Sequence, residues 1–187
     1  MKILFIGDIV GKAGRQAIEE LLEKVISDYD ADFTIANGEN AAGGMGITPP
    51  IALEILSQGV DVLTSGNHIW AKKEILPFLG EESRILRPAN YPAGAPGRGA
   101  GLFKLNDGQK IGILNLEGRV FMRPLDCPFR VAEREIESMR KETEMIIVDF
   151  HAEATSEKNA MGWFLDGKVT AVLGTHTHIQ TSDEKIL

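Results

Sequence analysis

Residues 2–8 read KILFIGD, an apolar run that ends in a glycine and an aspartate. Two runs of the same form follow, DFTIANG at residues 32–38 and VDVLTSG at residues 60–66. The segments between the runs carry apolar residues at helical spacing. Apolar runs that alternate with helices predict an α/β fold, with parallel strands joined by right-handed crossovers. The predicted strands cover residues 2–6, 32–36 and 60–64, and the predicted helices cover residues 15–28, 49–58 and 70–79.

The pattern changes after residue 100. The run 101–105, the turn Asn106-Asp107-Gly108 and the run 110–116 predict a β-hairpin. A hairpin beside parallel strands implies either one mixed sheet or a second sheet packed on the first. The later elements are predicted to be a helix over 128–141 and strands over 145–150 and 169–173.

No internal repeat or clear linker interrupts the chain, so we expect a single domain over residues 1–187. A further strand is predicted to begin at residues 185–187 without a successor. The predicted fold is therefore cut short, with its C-terminal strands missing. Exposed apolar surface or an unpaired sheet edge is expected near Ile186 and Leu187, and would favour a homo-oligomer.

Composition excludes several classes of protein. Hydrophobic residues make up 43% of the chain, which is enough for a real core, and the single cysteine, Cys127, rules out an internal disulfide. A net charge of −7 argues against stable binding to nucleic acids. No apolar run approaches the ~18 residues of a membrane helix. We expect a cytoplasmic protein without a membrane partner.

Candidate metal ligands follow five of the predicted strands, where open α/β sheets bind ligands. They are Asp8, Glu39 with Asn40, Asn67 with His68, His151, and His176 with His178. All four histidines of the chain lie in these segments. One histidine after a strand is more often structural than a ligand, but all four together, joined by carboxylates and amides, indicate a metal site.

The ligand types narrow the choice of metal. Imidazole, carboxylate and amide without thiolate favour iron, manganese, zinc or similar ions. The set is too rich in histidine for calcium or for magnesium alone. It is also too large for one ion, whereas two ions sharing a carboxylate would use it fully. Such two-metal sites suit the hydrolysis of phosphate esters.

The segments GDIVGK, NGEN, SGNH, DFHAE and GTHTH, in this order from residue 7 to residue 178, resemble the motif series of calcineurin-like metallophosphoesterases. More narrowly, they resemble the bacterial 2',3'-cyclic-nucleotide phosphodiesterases, which have Glu-Asn in the second motif. The resemblance implies a four-layer α/β/β/α sandwich with mixed sheets and an active site at the carboxyl ends of the strands. It also implies hydrolysis of a small phosphodiester by a metal-bridging hydroxide.

The resemblance also assigns roles to single residues. The first metal ion would be held by Asp8, Glu39, Asn40 and His178. The second ion would be held by Glu39, Asn67, His151 and His176, so that Glu39 bridges the two. His68 would be the general acid. The metal in this subfamily is usually iron, and manganese can replace it.

Three positions depart from the broader superfamily, and one of them is Glu39, where the second motif normally has an aspartate. Val10 stands where a first-motif histidine is usual, and Asn40 would replace that ligand. Ile69 stands where an acidic residue often orients the catalytic histidine, so His68 needs another partner. Asp149 and Glu153 either orient imidazoles or are simply exposed or capping residues. Arg119 and Arg123 either reach a substrate phosphate or are solvated in their loop.

Two alternative functions stay open at the level of sequence. The same metals would serve a phosphomonoesterase or a nuclease. A regulatory protein could instead use the metal pair structurally or as a sensor. His68 argues against the second alternative, because the metal ions do not need it as a ligand.

Overall fold

The computed structural model describes residues 1–105 and 107–187, which form seven strands and five helices. In chain order they are β1 (Ile3–Ile6), α1 (Gly11–Tyr29), β2 (Phe33–Asn37), α2 (Pro49–Ser57), β3 (Val62–Thr64), α3 (Ile75–Glu81), β4 (Ala100–Lys104), β5 (Lys110–Glu117), α4 (Pro128–Met139), β6 (Ile146–His151), α5 (Thr155–Phe164) and β7 (Ala171–Thr175).

The strands form two sheets. The first is parallel and has the order β1-β2-β3. The second has the order β4-β5-β6-β7, in which β4 is antiparallel to β5 while β5, β6 and β7 are parallel. The hairpin thus belongs to a second, mixed sheet, which settles the alternative that the sequence left open. Position 106 of its turn lies outside the described residues.

Three apolar layers hold the two sheets and the helices together. Between the sheets, Ile35 and Val62 of the first face Ile113 and Ile147 of the second. Helices α1, α2 and α3 cover the outer face of the first sheet, and α4 and α5 cover the outer face of the second. Because side chains alternate along a strand, each sheet packs on both faces. The predicted four-layer α/β/β/α arrangement is therefore present.

Two helices begin elsewhere than predicted. Helix α1 starts at Gly11, four residues early, where a φ of 56° suits glycine. Helix α3 starts at Ile75 instead of residue 70. The residues before it form turns, in which the N–H of Ile69 bonds to the carbonyl of Gly66 at 3.2 Å. These turns present the residues after β3 at the edge of the sheet.

Two features of the last third differ from expectation. Helix α5 was not predicted, because Met161 is its only fully buried apolar side chain and Gly162 interrupts its pattern. The strand predicted at 185–187 is wrong, since those residues have no regular structure. The side chain of Ile186 is fully exposed, as expected for apolar surface there. Among the described residues, no helix is long and apolar enough to cross a membrane.

Candidate metal centre

The predicted ligands converge at one place, the carboxyl edge shared by both sheets. Asp8 comes from the end of β1, and the backbone N–H of His176, just after β7, donates to its Oδ2 at 3.0 Å. The first and last motifs of the chain therefore meet directly. Hydrogen-bond or ion-pair contacts link all seven predicted metal ligands and His68 into one cluster.

One half of the centre surrounds Nε2 of His151. Glu39 Oε1, Asn67 Oδ1 and His176 Nδ1 each lie 3.1 Å from this nitrogen. Glu39, His151 and His176 offer ligand atoms that all lie within 4.8 Å of one another. Two imidazole nitrogens, a carboxylate and an amide oxygen that face the same point suit a borderline transition metal.

The other half lies around Asp8. Its Oδ1 is buried and, within the described residues, has no hydrogen-bond partner, while Nε2 of His178 lies 3.4 Å away. The amide nitrogen of Asn40 lies 3.3 Å from the same His178 nitrogen and 3.1 Å from Glu39 Oε1. A buried carboxylate oxygen without a partner is costly, and a cation would satisfy it. The residues present thus fit a metal ion here too, with Glu39 between the halves.

The charges of the central pair support each other. Burial raises the pKa of Glu39, but the hydrogen bond and charge of His151 hold it below its ordinary value. Burial lowers the pKa of His151, but Glu39 raises it above its ordinary value. Burial and the nearby His151 charge lower the pKa of His176.

A buried hydrogen-bond chain behind His151 sets its orientation. The hydroxyl of Thr175 donates to Asp149 Oδ1 at 2.7 Å, so its oxygen can accept from Nδ1 of His151 at 2.9 Å. In the neutral imidazole, Nδ1 then carries the hydrogen and Nε2 faces the centre with a free lone pair. Asn37 holds the other oxygen of Asp149 at 3.0 Å. Asp149 therefore orients an imidazole, and Glu153 contacts His176 Nε2 at 3.0 Å.

The segment that carries the last two histidines has an unusual backbone. His176 has a φ of 94° and His178 a φ of 53°, both on the side that favours glycine. The backbone N–H of His176 donates to Asp8, and Lys158 Nζ donates to the Thr177 hydroxyl at 3.2 Å. Backbone strain of this kind is concentrated at functional sites.

His68 stands at the rim, with about a third of its side chain exposed. Its backbone N–H donates to Glu39 Oε2 at 2.9 Å, and its Nδ1 lies 2.7 Å from Asn40 Oδ1. Asn40 is thus the orienting partner that the sequence required once Ile69 had replaced an acidic residue. Ile69 itself is fully buried in the core.

The sequence reasoning missed a buried polar group beside the centre. Glu117 ends β5, pairs in register with His151, and has both carboxylate oxygens buried without a partner among the described residues. The Tyr91 hydroxyl and the Trp70 indole N–H are also buried without a hydrogen-bond partner among the described residues, and their ring centroids lie 4.9 Å apart. Burial raises the pKa of Glu117 to about 7. The rule that found the predicted ligands, a polar residue at a strand end, applied to Glu117 as well.

The model of the YmdB-like protein family matches residues 4–187. The chain belongs to this family. A relative from Bacillus subtilis (strain 168), named 2',3'-cyclic-nucleotide 2'-phosphodiesterase, is 50% identical over 187 residues, which are 100% of this chain and 70% of that protein. The resemblance drawn from the motifs is thereby confirmed.

Two solved structures resemble this member of the YmdB-like family closely. A phosphatase from Mycoplasma pneumoniae has a TM-score of 0.92 at 37% identity, covering 100% of this chain and 68% of that one. A hypothetical protein from Thermus thermophilus has a TM-score of 0.91 at 42% identity, covering 99% of this chain and 71% of that one. The predicted fold class is confirmed by these likenesses.

Proposed function

We propose that this chain hydrolyses small phosphodiesters, 2',3'-cyclic nucleotides first among them, with two transition-metal ions and with His68 as the general acid. The observation that carries the proposal is the paired ligand set, in which Glu39 lies between two groups of donors. The enzyme class, a phosphoric diester hydrolase, is confirmed by the relationship to the Bacillus subtilis enzyme. The cyclic-nucleotide preference is carried over from the name of that relative.

We assign the donors to two sets that share Glu39. The first would comprise Asp8, Glu39, Asn40 and His178, and the second Glu39, Asn67, His151 and His176. Two bound metal ions would supply Lewis acidity, lowering the pKa of a bound water and neutralising charge on the phosphoryl oxygens. Iron is the first choice for these ions and manganese the alternative, since nitrogen and oxygen donors suit both.

We assign the role of proton donor to His68, and its contact with Asn40 supports this assignment. Asn40 Oδ1 is an acceptor only, so the nitrogen of His68 beside it, Nδ1, carries a hydrogen. The ring is thereby fixed, and in the imidazolium form Nε2 carries a second hydrogen. We assign that proton to the leaving oxygen of the substrate, which leaves His68 neutral. A ribose alkoxide is a poor leaving group that needs this proton.

A phosphomonoesterase with the same metals is the second candidate. The name of the Mycoplasma pneumoniae structure, a phosphatase, favours it. A panel of mono- and diesters, assayed with the same metal-loaded protein, separates the two activities.

The test of the mechanism compares His68→Ala with His176→Ala on two substrates. General acid catalysis contributes roughly 10²–10⁴-fold, so His68→Ala should lose about that factor in kcat/KM on a cyclic nucleotide. It should lose much less on a nitrophenyl phosphodiester, whose leaving group departs without a proton. His176→Ala should lower both activities together, because it weakens the metal site that both substrates use.

Elemental analysis of each variant, after anaerobic purification, is the control. About two metal ions per chain are expected in the parent and in His68→Ala by the two-metal model. If His68→Ala lost metal and both activities equally, His68 would be a ligand or a structural residue. One ion or none in the folded parent protein would remove the bridging role of Glu39.

A further inference from the structure

The loop at residues 118–124 leaves the second sheet directly beside the metal centre. Its first residue, Gly118, donates its backbone N–H to the carbonyl of His151 at 2.9 Å. The residue before it, Glu117, pairs with His151 across the sheet. The loop therefore starts at the edge where substrate would bind.

The loop is held in place by one buried carboxylate. Glu157 of α5 accepts the backbone N–H of Arg119 at 3.0 Å and that of Val120 at 3.1 Å. A Cβ at Gly118 would lie 2.5 Å from Glu157 Oε2, so the chain runs tightly against this helix. The loop thus has a defined position, although it carries none of the predicted metal ligands.

The tip of the loop carries an aromatic side chain that contributes little to the fold. Phe121 is 90% exposed and has a φ of 62°, a left-handed conformation that aromatic residues rarely adopt. A lone exposed aromatic residue is ordinary. An exposed aromatic residue in a strained conformation, on an anchored loop, indicates selection for a ligand instead.

The tip lies within reach of the centre. Three residues span at most about 10 Å, so Phe121 lies within that distance of Gly118. Burial raises the pKa of Glu117 and of Tyr91, and the charge of Arg123 lowers both. Arg123, two residues beyond the tip, therefore lies near Glu117 at the edge where the loop began. Arg119 and Arg123 lie two positions on either side of Phe121 in the sequence, so the loop is positively charged in a chain of net charge −7.

We propose that Phe121 is the stacking platform for the nucleobase of the substrate. This inference rests on the proposed function. A nucleotide with its phosphate at the metal centre extends its base away from the centre, and an exposed ring can meet the base face to face. Stacking is tolerant of base identity, because every base has a π-face. The site would therefore prefer base-bearing cyclic phosphates over base-free ones, with little discrimination among bases.

The experiment compares adenosine 2',3'-cyclic phosphate with a base-free methyl riboside 2',3'-cyclic phosphate. For Phe121→Ala, we expect kcat/KM on the nucleotide to fall roughly tenfold to a hundredfold, mainly through KM, as for loss of one base stack. On the base-free diester, kcat/KM of Phe121→Ala should equal that of the parent. Phe121→Tyr should restore most of the loss. Tyr29→Ala removes another exposed aromatic side chain, at the end of α1, and should change neither activity.

Several results would overturn the inference. Equal losses on both diesters, no loss on either, or a change of oligomeric state in size-exclusion chromatography would show that Phe121 does not stack on a base. If the metal-loaded parent hydrolysed neither diester, the proposed function would fail instead. Binding of adenosine 3'-monophosphate would then decide: weaker binding by Phe121→Ala would support stacking, and unchanged binding would exclude it.

Discussion

Gly66→Ala should disable the metal centre through a single added methyl group. A Cβ at this position would lie 2.2 Å from Nε2 of His151 and 2.5 Å from Oε2 of Glu39. Ordinary contacts at Cβ begin at 3.4 Å. The imidazole and the carboxylate must therefore shift by about 1 Å, or the turn after β3 must move.

The expected magnitude follows from that shift. Overpacking a tight site costs about 1–3 kcal/mol of the free energy of unfolding. A disturbance of groups that position metal ligands typically lowers metal affinity about 10- to 100-fold. Misplacement by about 1 Å also costs on the order of 100-fold in activity. Because Gly66 does not have a left-handed backbone, alanine adds only the steric effect.

The assay is metal titration followed by kcat/KM on a phosphodiester at saturating metal, with urea unfolding of the metal-free protein. Gly80→Ala is the matched control, since it makes the same change within α3 where a Cβ meets nothing within 4 Å. It should be neutral or stabilise by about 0.5–1 kcal/mol. If Gly66→Ala kept the metal affinity and the activity of the parent, the centre would not be packed as described.

Two further perturbations test the surroundings of the centre. Glu117 keeps its proton in the folded state up to a pKa of about 7 but loses it near 4.5 when unfolded, so folding free energy is lost as pH rises between these values. In metal-free protein, Glu117→Gln should therefore have a higher free energy of unfolding than the parent, by up to about 3 kcal/mol at pH 8 and by little at pH 4.5. The same difference at both pH values would refute this. Lys158→Met should lower metal affinity about 10- to 100-fold without loss of fold, because Lys158 holds Thr177 between the two last histidines, whereas exposed Lys24→Met should not. Calorimetric titration with Mn²⁺ measures the metal affinity of both lysine variants. If Lys158→Met bound Mn²⁺ as tightly as Lys24→Met, a positioning role for Lys158 would be excluded.

The sequence predicted which polar residues the structure brings together, because the signal is local. Each predicted ligand lies at or just after the end of an apolar run, and parallel strands bring their carboxyl ends to one edge. The contact between Asp8 and the N–H of His176 joins residues 168 positions apart, yet it needed only the direction of two strands. Strand direction was available from the alternation of strands and helices.

Elements without an apolar period were harder to predict. Helix α5 packs Met161, the partly buried Phe164 and one buried carboxylate, Glu157, against the second sheet. The role of Glu157 depends on backbone N–H groups of a distant loop, and no local pattern encodes that partner. The left-handed φ of His176 and His178 was equally hidden, because tertiary contacts with Asp8 and Lys158 hold that segment.

Asn40 bears on two of the departures of this sequence from the broader superfamily, those at Val10 and Ile69. Its amide nitrogen lies 3.3 Å from Nε2 of His178 and 3.1 Å from Oε1 of Glu39. Its carbonyl oxygen faces His68, whose usual acidic partner is replaced by buried Ile69. A carbonyl oxygen has two lone pairs, so it can orient His68 and still serve as a ligand. In the proposed mechanism, one amide would therefore serve both as a ligand and as an orienting group. The side chain of Asn40 joins His68, the proposed general acid, to Glu39.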